Sequence, residues 1–361
     1  MKDSNKNHKN DDSKKIKNEE IKGMNNKNNK NNEKNNNSDI YPGELLEKRK
    51  ISKSKDLPFK YECQKSMKPY NYEITCMLLI KSANLIATTS LIPNIDIWSF
   101  NPKEINLNLI SILKGHTKTI ICLKEFFNIN CIASCSYDNT LKLWDIIKKE
   151  CIKTLNYNSK SILTCCYNPN YNMEIYTAGD DMEILVWGGS PKNYNYIPKN
   201  KIKVNKKNIN HLFFVGDFNL LVSGSKDNCL CFWDCNNNYA CVDTIDFGSE
   251  IKCLKYLEKR LMVSCSDGNI NFINMNILKK VKSVQFGNTP ICDFEIINQQ
   301  YILMGCEDGK VRLWKFCTEN RTLLIGHKKA VIGVGVIDIN QDYIITASKD
   351  CTIKIWEKII I

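Results

Sequence analysis

Six tryptophans divide this chain into near-equal lengths. Trp98, Trp144, Trp187, Trp233, Trp314 and Trp356 are separated by 46, 43, 46, 81 and 42 residues. Each closes a short alternating run, such as Ile95-Asp96-Ile97-Trp98, Ile184-Leu185-Val186-Trp187 and Ile353-Lys354-Ile355-Trp356. The doubled interval holds one further copy, Ser264-Cys265-Ser266-Asp267-Gly268 followed by Ile270-Asn271-Phe272-Ile273, with Ile273 in the tryptophan's place. Self-similarity at a fixed period of this size marks stacked supersecondary units, because one such unit cannot bury its own faces. Seven units result, over residues 70 to 357.

The most complete copy runs from Gly115 to Asp145. It holds the apolar runs Ile120-Ile121-Cys122-Leu123, Ile132-Ala133-Ser134-Cys135-Ser136 and Leu141-Lys142-Leu143-Trp144-Asp145, the last two separated by the polar turn Tyr137-Asp138-Asn139. Period-two alternation bounded by turn residues reads as strands. Opening on Gly115-His116 and closing on Trp144-Asp145, it resembles a WD40 repeat. The resemblance implies an all-β, seven-bladed β-propeller of four-stranded blades. It also implies a buried chain of hydrogen bonds through the histidine, a Ser or Thr, the turn Asp and the tryptophan. The matching residues are His116, Ser134, Asp138 and Trp144 in the second repeat, and His327, Thr346, Asp350 and Trp356 in the seventh. The third keeps Thr177, Asp181 and Trp187 and the fourth Ser223, Asp227 and Trp233, both without the histidine; the fifth and sixth keep Asp267-Gly268 and Asp308-Gly309. The first departs most, with Leu91-Ile92-Pro93-Asn94 where the Asp turn belongs.

Composition sets the first stretch apart. Residues 1 to 40 contain 13 Asn and 10 Lys and few large apolar side chains, too little apolar surface to offset the entropy of ordering. A disordered low-complexity tail is expected over residues 1–55 and a propeller over residues 56–361. Glu357 to Ile361 are too few to turn and add an outer strand, so closure is expected from a strand near residues 59–63, Phe59-Lys60-Tyr61-Glu62-Cys63. The formal net charge is +12, but residues 1 to 60 carry 16 basic and 10 acidic groups, so half of the excess lies in one sixth of the chain. Neither an apolar targeting segment nor an 18-residue apolar run is present, which points to the cytoplasm, the nucleus or both, with no membrane span.

The 18 cysteines follow the repeat period, as at Cys76, Cys122, Cys165, Cys253 and Cys292, and fit as small buried side chains on inner strands. There is no CxxC pair and there are only four histidines, so no metal site is expected, and no cofactor. No catalytic motif is found, and an Asp recurring in one turn is architecture, so the chain is not expected to be an enzyme.

Propellers of the resembled family bind peptides or protein surfaces through residues around the start of the first strand and just before the turn Asp. The residues at those positions are Thr119, Ile121, Tyr137, Ile162, Thr164, Asp180, Lys226, Lys252, Ile291, Glu307, Ile332 and Lys349, with Glu73, Thr75, Asn210 and Glu250 beside them. The isoleucines have two readings, exposed partner contacts or buried channel wall. The leading expectation is a non-catalytic protein–protein interaction scaffold within a larger complex, with no small-molecule substrate. The alternative is an RNA-associated or ribosome-assembly propeller using the basic tail and the stretch 188–208, which has six lysines, Tyr194 and Tyr196 and no acid. A ubiquitin-ligase substrate receptor ranks lower, because the arginine two residues after the Trp-Asp pair is absent at Trp144-Asp145-Ile146-Ile147 and at Trp233-Asp234-Cys235-Asn236.

Overall fold

The computed structural model describes residues 59–126, 131–170, 173–190, 193–203, 207–316, 321–337 and 342–361. The expected tail, residues 1–55, lies outside them. The described chain forms seven antiparallel sheets of four strands each. Blade 2 is typical: Ile120–Phe126 innermost, then Cys131–Ser136, Leu141–Asp145 and, outermost, Glu150–Leu155. The innermost strands of successive blades touch around a ring. That ring closes where Val331–Val336 of blade 7 meets Ile74–Ile80 of blade 1.

Blade 7 takes its outer strand from the N-terminal side. Phe59–Met67 pairs antiparallel with Ile353–Ile360, Phe59 opposite Ile360 and Met67 opposite Ile353, so the strand runs four residues beyond the expected 59–63. Its anchor is Tyr61, buried against Ile297, Tyr301, Leu303 and Trp356, which ties blade 7 to blade 6.

Both faces of each blade are covered by its neighbours, and this shapes the sequence. A strand buried on both sides reads as a continuous apolar or small run and not as an alternation. Cys131–Ser136, Leu220–Ser225 and Tyr301–Cys306 are buried at every residue. Space between blades is tight: a Cβ on Gly305 of blade 6 would come within 2.9 Å of the backbone oxygen of Val331 in blade 7.

Two irregularities recur in every blade or nearly so. Each innermost strand carries one extra residue near its start: Ile120 pairs with Ser136 but Cys122 with Cys135, leaving Ile121 bulged. The equivalent bulged residues are Thr75, Leu163, Asn210, Lys252, Cys292 and Ile332. In the turn between second and third strands, the residue after the Asp adopts positive φ in blades 2 to 7: Asn139, Met182, Asn228, Gly268, Gly309 and Cys351. Asn and Gly enter that left-handed region easily, whereas Met182 and Cys351 do so at a cost of about 1 kcal/mol each.

Candidate functional site

The histidines of blades 2 and 7 lie at the heart of a bonded chain. Trp144 Nε1 donates to Ser134 Oγ at 2.8 Å, Ser134 Oγ lies 2.7 Å from His116 Nε2, and His116 Nδ1 lies 2.6 Å from Asp138 Oδ2. An indole only donates and a carboxylate only accepts, so the proton order follows: the serine hydroxyl donates to Nε2 and Nδ1–H to Asp138. Blade 7 repeats this, with Trp356 to Thr346 at 2.9 Å, Thr346 to His327 at 2.8 Å and His327 to Asp350 at 3.1 Å. Burial drives both imidazoles toward the neutral form, against the opposing pull of Asp138 and Asp350. Burial also opposes the charge on Asp350, yet hydrogen bonds from Thr352 and the Lys328 amide, with His327 beside it, hold the carboxyl down at about 2. Thr140 and Thr352, absent from the sequence-level set, complete each unit by donating to the Asp at 2.6 and 2.5 Å. These groups are consumed by one another, and their geometry is structural.

Elsewhere the histidine is replaced. Tyr70 OH meets Thr88 Oγ1 at 2.6 Å in blade 1, where Trp98 also donates to Thr88, and Asn158 accepts from Thr177 in blade 3. Both replacements stand four residues before the inner strand, as His116 does. That spacing was readable in the sequence, but a different residue type hid it. Blade 6 substitutes an ion pair, Arg312 Nη2 to Asp308 Oδ2 at 2.6 Å.

One end of the ring carries the residues ahead of each inner strand and the turn after each second strand. A backbone bond ties the two in every blade, as in Leu91 to Glu73, Tyr137 to Thr119, Asp180 to Ser161 and Lys349 to Ala330. The structure redistributes the face expected from sequence. Ile121, Ile332 and Lys252 occupy bulge positions and are partly exposed; Thr119 and Asp180 are half-buried; Tyr137, Lys226, Glu307 and Lys349 are exposed. Ile162, Ile291 and Thr164 are corrections. Ile162 and Ile291 precede the bulge, in register with Ile120, and are fully buried between blades; Thr164 follows it and is also buried. The bulge displaces side-chain parity by one residue, so the outward positions there are Leu163 and Cys292.

Several polar members are already bound. Glu250 takes both Lys252 Nζ and Asn210 Nδ2, Lys329 pairs with Glu73 at 2.9 Å, and Asn208 donates to Asp180. Beside them stand exposed apolar side chains. Tyr72, Leu91, Ile92 and Tyr137 are 53, 49, 43 and 43% exposed. They are contiguous: Leu91 bonds through its amide to Glu73, next to Tyr72, and through its carbonyl to Thr119, whose own carbonyl binds Tyr137. Leu91 and Ile92, the very residues that displace the Asp turn, supply half of this patch.

The described part of the basic stretch 188–208 is largely built into blade 3. Glu183–Ser190 and Asn195–Lys203 are paired strands, Asn195–Lys203 being the outer strand of blade 3. Lys199 binds the fully buried Glu174 at 2.5 Å, Lys201 binds Glu183, and Tyr196 is buried. Two of its lysines are therefore neutralised and one tyrosine cannot stack on a base. Glu174 also accepts from Tyr176 and Tyr239, joining blades 3 and 4.

Inside the ring, Glu295 is bridged by Lys255 at 2.8 Å and Lys81 at 3.0 Å. Cys122, Cys135 and Cys165 gather on the wall between blades 2 and 3, their sulfurs within 4.8 Å of one another. Hydrogen bonds from Cys135 and Cys165 pull the Cys122 thiol well below its ordinary range, while burial pushes those two up.

Comparison with known proteins agrees with this geometry. The profile of the WD40 family, WD domain, G-beta repeat, matches residues 107–145, 149–188, 198–234 and 318–357, which leaves out the most divergent blades, 1, 5 and 6. The Denticleless protein homolog of Danio rerio is 21% identical over 304 residues, covering 71% of this chain and 47% of that protein. Its Homo sapiens counterpart is 25% identical, over 61% of this chain and 37% of its own length. The nuclear distribution protein nudF of Aspergillus flavus is 24% identical over 68% of this chain and 59% of its own. The chain thus spans less than half the length of these Denticleless relatives. No enzyme family is indicated. Among the described residues no helix is long and apolar enough to cross a membrane.

Proposed function

Because the chain is a member of the WD40-repeat family, we propose that it is a non-catalytic interaction scaffold whose residues 56–361 present one end of the propeller to a protein partner in the cytoplasm, the nucleus or both. The observation that carries this is the contiguous patch of Tyr72, Leu91, Ile92 and Tyr137, each more than two-fifths exposed on adjacent blades. Exposed aromatic and branched side chains in a cluster mark an interaction site, and here the amides of Leu91, Ile92 and Tyr137 are already bonded within the fold. Thr119 and Ile121 of blade 2 and Ile332 and Lys349 of blade 7 flank the patch, so the proposed partner surface is apolar at its centre with a lysine at its rim, whereas Lys252 lies across the ring on blade 5 and is held by Glu250. Handing a bound protein to a ubiquitin ligase is one form that such an interaction takes. The RNA-associated reading loses support with the pairing of Lys199 and Lys201.

The test is affinity purification of the intact protein from its native cell beside a Leu91→Asp/Tyr137→Asp variant that melts like the parent. Loss of specific partners supports the patch. An identical partner set, or partners released by moderate salt or by ribonuclease alone, refutes it.

A further inference from the structure

Three thiols that no sequence motif joins converge on the channel wall. Cys122 lies on the inner strand of blade 2, Cys135 directly opposite it on the next strand, and Cys165 on the inner strand of blade 3. All are free thiols; Cys122 is partly exposed toward the channel and the other two are buried. Packing alone does not call for sulfur here. The place of Cys135 is taken by Ala178, Gly224, Gly305 and Ala347 in blades 3, 4, 6 and 7.

We propose that Cys122, Cys135 and Cys165 form a binding site for a thiophilic divalent cation, Zn2+, held by three thiolates with its fourth position open to the channel. Zinc–sulfur bonds of about 2.3 Å place tetrahedral ligands roughly 3.8 Å apart. Sulfurs already within 4.8 Å of one another reach that spacing by small side-chain rotations, with no movement of the strands. The donor set excludes magnesium and calcium, which require oxygen. Charge closes as well: three thiolates around Zn2+ leave one negative charge. Lys124 stands two residues beyond Cys122 on the same side of the strand, its ammonium in the field of Cys122 and Cys165, with no carboxylate in ion-pair reach among the described residues. Binding releases the thiol protons to solvent, so affinity rises with pH. Cys122 gives the ion its way in from the channel.

The test uses the full chain purified under reducing, oxygen-free conditions and stripped with a chelator. Co2+ is titrated first, for its sulfur-to-metal charge-transfer absorption, then displaced by Zn2+, and bound zinc is counted by elemental analysis. One equivalent and a thiolate-rich tetrahedral spectrum are expected. Cys122→Ser should weaken binding more than about tenfold, and Cys135→Ala should do the same while keeping the parent fold by circular dichroism, since alanine fills that place in two other blades. Cys151→Ser, exposed on an outer strand, should bind as the parent does. The proposal is overturned by absence of the charge-transfer band, by unchanged affinity in Cys122→Ser, by Cu+ binding without Zn2+ binding, or by a Cys122–Cys135 disulfide in protein isolated with its thiols protected.

Discussion

Removal of the Asp138 carboxylate gives the sharpest measure of the blade 2 network. The side chain accepts four bonds: from His116 at 2.6 Å, Thr140 Oγ1 at 2.6 Å, and the amides of Thr117 and Thr140 at 3.0 Å each. The His116 side chain is 0% exposed and that of Asp138 6%, so water cannot replace what is lost. A bond to a charged group contributes about 1.5–3 kcal/mol, and an orphaned buried donor costs about 1–3 kcal/mol. Asp138→Ala should therefore destabilise by about 3 kcal/mol. At roughly 2 °C per kcal/mol for a propeller of this size, Tm should fall by about 6 °C or more. Asp267→Ala in blade 5 is the control, because among the described residues Asp267 binds Asn269 alone, through its backbone and side-chain nitrogens, and no histidine; its cost should be about 1 kcal/mol. Differential scanning calorimetry of both reads the difference. A fall below about 2 °C in Asp138→Ala, or equal falls in the two variants, would refute the reasoning.

Acid should erode stability from below pH 6.5 downward. Burial lowers the pKa of His116 and His327 and that of His211 to about 3, whereas the unfolded chain titrates near 6.5. Between those values the unfolded chain binds more protons, so the stability is complete above about 6.5 and declines as pH falls; a urea midpoint unchanged between pH 7 and 5 would contradict this. Glu174→Ala, which leaves Lys199 and two buried tyrosine hydroxyls without their acceptor, should cost about 3 kcal/mol in denaturant melts, and Lys199→Ala clearly less. A chain beginning at Ser66 should aggregate or melt far below one beginning at Lys53, because only the longer one retains Tyr61 and the paired strand; equal melting would exclude that closure. Met182→Gly should raise stability by up to about 1 kcal/mol by relieving positive φ, measured by the same melts.

The repeat count was legible because each blade needs a bulky side chain on its third strand, and tryptophan is rare enough to be counted. The number of repeats follows from that period, while the fold class and the tetrads of His116 and His327 came from the resemblance to WD40 repeats, placed on this chain by the fixed offsets around each Asp. Tyr70 and Asn158 escaped notice because geometry at that position asks for a hydrogen-bonding group and not for histidine. The exposed patch was only half visible: Leu91 and Ile92 looked like a defect in a turn, and they are the surface.

What the sequence determined by itself is periodic, since every blade solves the same burial problem between two neighbours. What tertiary structure alone decided is local parity and convergence. One extra residue in each inner strand moved Ile162 and Ile291 into the interior and left Ile121 and Ile332 partly exposed, a shift without a compositional mark. The gathering of Cys122, Cys135 and Cys165 depends on the packing of blade 3 against blade 2, a contact between residues up to 43 positions apart that no spacing rule encodes.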